Sequence, residues 1–316
     1  MSGTANDRGD RIDDWTYPVT IMAKRIFLFV ITNLAVVLVI SIVLSLLGVG
    51  NYVGPAGLNV TSLAIFCLVW GMAGSFISLA ISRWMAKRAM GVRLVNGQTG
   101  REELDWLFRT VERLTQQAQL PMPEVGFYES NEVNAFATGP SRSRSLVAVS
   151  SGLLRSMGRD EVEGVLAHEV AHIANGDMVT MTLLQGVINA FVMFLARIIA
   201  FAIASRGNSR DDRSPMGEYM VVFVLQIVFG ILGSMVTSWF SRQREFRADR
   251  GGATLAGRDR MVGALRRLAA NRELVDTSHA ELATMKINGM PGWMALFSTH
   301  PPLEARIAAL ENARLS

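Results

Sequence analysis

A single cysteine, Cys67, stands among 316 residues. No intramolecular disulfide can form, so the chain is no disulfide scaffold and fits a reducing compartment. Cys67 lies inside a long apolar run, where a thiol ordinarily serves as a small buried hydrophobe. Histidine is nearly as scarce, with four copies. One Cys and four His are a thin supply for a structural site, which is usually closed by four protein ligands, mostly Cys and His. Charge is low as well: 18% of residues are Asp, Glu, Lys or Arg against 50% hydrophobic, which is apolar for a soluble chain. The net charge of +4 is modest, and no basic, aromatic-interleaved surface points to nucleic acid. Internal repeats and low-complexity segments are absent.

The missing charge is concentrated. From Ile26 to Ser82 no Asp, Glu, Lys or Arg occurs. Within that stretch, Ile26–Leu47 and Val60–Ile81 are each long enough to cross a hydrocarbon core of about 30 Å. Asn51, Gly54, Pro55, Gly57 and Asn59 break the run between them, as a turn does. Residues 26–82 therefore read as a transmembrane hairpin, preceded by a polar tail over residues 1–25. The first run is too long for a cleaved signal peptide, and no A-x-A-like site follows it. Met22-Ala-Lys-Arg25 resembles a natural start, so translation is expected to begin at Met22. Met178–Ala196 and Tyr219–Ser241 are two more uncharged runs of spanning length. Buried helices of a soluble domain, or a shallow re-entrant pair, are the other reading of these two. Lys24 and Arg25 precede the first span and Arg83, Lys87, Arg88 and Arg93 follow the second, while the intervening loop carries no charge. The positive-inside rule then puts the segment after Ile81 in the cytoplasm. A channel or transporter fits poorly, because the spans carry almost no ionisable residues.

Between the two apolar pairs lies a first soluble block, residues 83–177. Leu104, Leu107, Val111 and Leu114 fall on one face of a helix over Glu102–Ala118, which Pro121 and Pro123 end. Short β-type runs follow at Glu124–Tyr128, Asn134–Thr138 and Ser145–Val149, separated by turn residues including Gly139-Pro140. Residues 153–175 return to helix. A second block, residues 242–316, carries helices at Arg242–Ala256, Asp259–Asn271 and Pro302–Asn312. His279, in Asp276-Thr-Ser-His279, reads as a surface histidine.

The 153–175 helix contains His168-Glu-Val-Ala-His172. Histidines four apart project from one helix face. Both imidazoles can hold one Zn²⁺, and Glu169 lies beside them to take a proton from an attacking water. The bare motif also recurs by chance, but Val162, Val165, Leu166 and Ile173 supply the helical apolar spacing, and Asn175-Gly176 supplies a stop. A catalytic zinc needs a third protein ligand. The metzincin extension would place a histidine at position 178, which is Met178, so that class is excluded. Arg244-Glu-Phe-Arg-Ala-Asp249 offers Glu245 as ligand. Asp249, one turn on, can accept from a ligand histidine's second nitrogen. A solvated, Arg-rich face after a membrane span is the competing account of this segment. If both later runs span, two crossings return Glu245 to the side of His168.

The ordered set resembles the HtpX family of bacterial membrane-bound zinc endopeptidases, related to the type I CAAX prenyl proteases. It comprises the N-terminal hairpin, Asn134-Ala-Phe-Ala-Thr-Gly139, Val165-Leu-Ala-His-Glu-Val-Ala-His-Ile173, the second apolar pair, Glu245-Phe-Arg-Ala-Asp249, and Ser298-Thr-His-Pro-Pro302 with Arg306. Residues 1–21 depart from it, since members usually begin near the first span. The resemblance implies a mainly α membrane protein: four transmembrane helices and a zincin-like α+β catalytic domain, split between residues 83–177 and 242–316 around a second transmembrane pair at 178–241. It implies one Zn²⁺ per chain held by His168, His172 and Glu245, Glu169 as catalytic base, and Asp249 behind the ligands. His300 and Arg306 are similar to residues that stabilise the oxyanion, with docking of the last helix as the alternative. Asn134, Ala135, Phe136, Ala137 and Thr138 resemble the edge strand that holds an extended substrate, or form an ordinary sheet edge. The implied activity is hydrolysis of misfolded or damaged membrane proteins at the cytoplasmic face of the bacterial inner membrane. The partners are then polypeptides and the bilayer. A narrow CAAX-type peptidase, and a scaffold or chaperone with a structural metal, are the alternatives.

Overall fold

The computed structural model describes residues 42, 53–54, 57–206, 215–278 and 294–313. Apart from Ile42, the expected span Ile26–Leu47 lies outside these residues, as do the tail with Met22, and His279. A two-residue hairpin, β1 (Val53–Gly54) and β2 (Gly57–Leu58), precedes a 31-residue helix α1 (Val60–Met90). Then come β3 (Arg93–Val95), α2 (Glu102–Gln117), β4 (Glu124–Tyr128), β5 (Ala135–Ser141) and β6 (Arg144–Ser150). The remaining helices are α3 (Ser151–Ser156), α4 (Arg159–Asn175), α5 (Asp177–Arg206), α6 (Pro215–Ala256), α7 (Arg258–Ser278) and α8 (Leu303–Glu311), with a 3₁₀ turn at Met294–Phe297.

Among the described residues three helices are long and apolar enough to cross a membrane: α1, α5 and α6. They bury little of themselves in the protein. Leu68, Phe191, Phe223, Ile227 and Ile231 stand exposed, as side chains that face lipid do. Each helix outruns its apolar stretch. α1 continues nine residues past Ile81, and α6 runs unbroken for 42 residues through the polar segment expected to be a separate helix. Hydropathy reports the solvent around a helix; backbone hydrogen bonds continue wherever no breaker intervenes.

A four-stranded sheet, in the order β3-β4-β6-β5, packs between α1 on one side and α2 and α4 on the other. β4 and β6 run parallel, and the outer strands β3 and β5 are antiparallel to their neighbours. β6 is buried at every position from Ser145 to Ser150, because both sheet faces are covered. Leu107, Val111 and Leu114 of α2 and Val165, Leu166 and Ile173 of α4 cover one face. On the other, Leu146 and Ala148 meet Ala86 and Met90 at the end of α1. Arg83 and Lys87 fix that end by ion pairs of 3.3 and 2.9 Å to Glu124 on β4. β3 pairs only with β4 and is too short to be read from a sequence pattern. Gly139-Pro140, expected to be a turn, lies inside β5 beside its register shift; the chain reverses at Arg142-Ser143 instead.

Candidate metal centre

Met157-Gly158 interrupts the expected 153–175 helix, and α4 starts anew at Arg159 with Glu161 accepting from the Gly158 N–H at 2.8 Å. It ends where Gly176 takes φ 69°, a left-handed conformation that glycine adopts without steric cost. In between, the helix is buried on nearly all sides. That brings His168, at 8% exposure, and the half-buried His172 against α6, which carries Glu245 and Asp249, each 1% exposed. Gly251 and Gly252 let the two helices approach. A β-carbon on Gly251 would stand 2.8 Å from that of Ala171, and one on Gly252 would stand 3.1 Å from the His168 nitrogen.

The imidazoles of His168 and His172 meet edge to face, with Nε2 atoms 3.0 Å apart. Glu245 places one oxygen 3.5 Å from Nε2 of His168 and the other 3.4 Å from Nε2 of His172. On the far side of each ring a buried aspartate waits. Oδ1 of Asp249 stands 2.9 Å from Nδ1 of His168, and Oδ2 of Asp177 stands 2.6 Å from Nδ1 of His172. An ionised carboxylate only accepts, so each Nδ1 carries the proton and each neutral ring turns a lone pair inward. Two lone pairs and a buried carboxylate converge, and Oε1 of Glu245 has no hydrogen-bond partner. Buried polar atoms without partners are costly, and a divalent cation answers this arrangement. Protons compete for the same place. Burial opposes the imidazolium of His172, but Asp177 and Glu245 outweigh it and push the ring up to about 9. His168 is likewise raised against burial by Asp249 and Glu245.

Arg306 of α8 is buried and donates to both oxygens of Asp249, at 2.8 and 2.6 Å. His300 is exposed, with Nδ1 3.0 Å from Glu245 Oε2. A cavity of about 140 Å³ opens beside the triad. Glu169, His168, Glu245, His300 and Arg306 form its polar wall. Val133, Asn134 and Ala135 bound it at the entry to β5, and Leu265 and Leu268 of α7 give it an apolar side. Phe136, Ala137 and Thr138 continue along β5 and are not among its lining residues. Asp249 lies behind His168 as its spacing from Glu245 suggests, whereas Asp177 has no counterpart among the residues expected from the sequence. The signal was a lone carboxylate just past the Asn175-Gly176 stop, five residues after His172.

A histidine pair and a glutamate gathered where apolar helices of spanning length meet a small sheet define the class: a membrane protein with a candidate metal centre. Comparison with known proteins narrows the class. The Peptidase family M48 model matches residues 102–314, a stretch holding α4 and the polar end of α6. "Protease HtpX homolog" of Bacillus pumilus is 54% identical over 299 residues, covering 92% of this chain and 99% of that protein. The Methylacidiphilum infernorum protein of the same description is 49% identical with the same coverage. "Protease HtpX" of Aeromonas salmonicida is 53% identical, covering 92% of this chain and all of that protein. The crystal structure of S. mikatae Ste24p superimposes with a TM-score of 0.62 at 17% identity, over 93% of this chain and 66% of that one. That likeness speaks for the fold. The chain belongs to peptidase family M48, and it is a bacterial membrane metalloprotease.

Proposed function

We propose that this metalloprotease is a zinc endopeptidase, with His168, His172 and Glu245 as ligands and Glu169 as general base. It would act on misfolded or damaged inner-membrane proteins at the cytoplasmic face. The triad geometry carries the proposal. Ligand atoms about 2.0–2.1 Å from a tetrahedral zinc stand about 3.3 Å apart, and the separations here are 3.0, 3.4 and 3.5 Å. Two imidazoles and one carboxylate are also a donor set that suits zinc in hydrolases.

Bound zinc supplies Lewis acidity, polarising the scissile carbonyl and acidifying the attacking water. The protein does the rest. Glu169, one residue from a ligand and facing the cavity, accepts the water's proton on its carboxylate and returns it to the leaving amine nitrogen. β5 is one of the two outer strands of the sheet and leads into the cavity at Asn134 and Ala135. That suits the pairing of an extended, unfolded segment by backbone hydrogen bonds. The apolar side formed by Leu265 and Leu268 suits a hydrophobic side chain of such a segment. Arg306 gives two nitrogens to Asp249, which supports docking of α8, and its third lies 3.6 Å from Glu245 on the cavity wall, where it suits the oxyanion role as well. Arg83, Lys87 and Arg88, at the end of α1 that meets the sheet, support the cytoplasmic orientation by the positive-inside rule.

The test is cleavage of an unfolded protein by the detergent-solubilised chain, with and without chelator, beside Glu169→Gln. The wild type cleaves only with zinc. Glu169→Gln retains one zinc and loses about 10²–10⁴-fold in rate. Undiminished cleavage by Glu169→Gln overturns the assignment.

A further inference from the structure

We propose that Asp177 is a positioning residue of the metal centre: it fixes His172 with Nε2 turned inward, and it ties that ligand to the membrane helix α5. The inference rests on the assignment of His172 as a ligand and goes beyond it by adding a residue and a mechanical link. Asp177 is 2% exposed and is the first residue of α5. A buried carboxylate needs a donor. His172 Nδ1 stands 2.6 Å from one of its oxygens, while the closest guanidinium, on the largely exposed side chain of Arg247, is 3.6 Å from the other.

The bond is made by a chain reversal. α4 stops at Asn175, Gly176 turns left-handed with its N–H on Ile173 O at 3.1 Å, and α5 starts at once. One residue separates the helices, so the Asp177 side chain folds back over the last turn of α4 and meets the ring five residues upstream. The other imidazole is braced differently, by Asp249 on α6, itself held by Arg306 from α8. Both braces, and Glu245 itself, therefore sit on the two helices that enter the membrane from this site. The orientation of His172 then follows the position of α5, and a ring free of Asp177 could present Nδ1 or rotate off the metal.

A second role competes, since an acidic residue in the first turn of a helix stabilises that helix. Two variants separate the roles: Asp177→Asn, which keeps shape and loses charge, and Asp177→Ser. The serine keeps an oxygen suited to a helix start but is too short to reach the ring. Zinc affinity of the full-length, detergent-solubilised chain is measured by competition with a chromogenic chelator, and melting is followed with zinc and with excess chelator. Positioning predicts one zinc per chain in each protein, with binding about 10–100-fold weaker in Asp177→Ser. Asp177→Asn falls between, because its amide oxygen still accepts from Nδ1–H without the charge. A helix-start role predicts wild-type zinc affinity in Asp177→Ser with melting lowered equally in zinc and in chelator, and that result overturns the inference. A wild type that binds no zinc removes the ligand assignment as well, so the two failures are distinguishable.

Discussion

α4 and α6 supply the same centre but belong to different solvents. α4 is a 17-residue helix packed on nearly all sides past its first turn, and its core is ordinary protein interior. α6 spends its first half with Tyr219, Phe223, Ile227 and Ile231 exposed, and only past Ser238 does it bury residues in the fold. The two histidines of α4 sit one helical turn apart, so local geometry assembles them. Glu245 is local to neither; it reaches them because α5 and α6 leave the site and return to it. The difference teaches that half the centre is built by helix periodicity and half by membrane topology.

Removing the topological half should have the largest effect. Glu245→Ala withdraws the proposed third ligand and leaves the two imidazole lone pairs without the carboxylate that faces them. It should abolish cleavage and weaken zinc binding by more than the roughly 10–100-fold typical of residues behind the ligands. Chelator competition measures it, and a variant that still held one zinc at wild-type affinity would place the third ligand elsewhere. Next comes the packing of α4. Leu166 is fully buried against the sheet, so Leu166→Ala should cost about 2–5 kcal/mol by loss of transfer energy and by the cavity left behind. A melt of the chelator-treated chain reads this without interference from metal.

Asp249→Asn should be milder. The amide oxygen still accepts from His168, but the bidentate partner of Arg306 is lost. Zinc affinity falls by about 10-fold, toward the low end for such partners. A fall equal to that of Glu245→Ala would contradict the division between ligand and brace.

The same division explains what the sequence discloses. His168, Glu169 and His172 are legible because their relation is a fixed helical spacing, and the strand at Glu124–Tyr128 because Pro123 and the turn residues after it bound a compact run. Glu245 is legible less directly, as a candidate in the Arg244–Asp249 segment that needs two membrane crossings to reach the histidines, and Asp249 follows from it by one turn. Asp177 escaped because Asn175-Gly176 reads as an end, whereas the helix stop is what folds the next residue back onto His172. The polar ends of α1 and α6 escaped for another reason. The switch from Phe, Val and Ile to Arg and Glu marks the edge of the lipid, while the backbone helix continues through it.

The smallest predicted effect puts the comparison at most risk, because it sets the same kind of truncation on the other helix. Ile231 is 49% exposed on the apolar half of α6. Its side chain meets hydrocarbon whether or not the fold is intact, since lipid tails are as apolar as leucine and no hydrophobic gain comes from leaving them. Ile231→Ala should therefore change stability by no more than about 0.5 kcal/mol, the range of substitutions away from packed features, against several for Leu166→Ala. Zinc affinity and cleavage should stay at wild-type values. Melting of both variants in one detergent decides the matter. Equal losses would mean that Ile231 packs against protein in the membrane, through a partner or a second copy, and that α6 is not lipid-facing over that half.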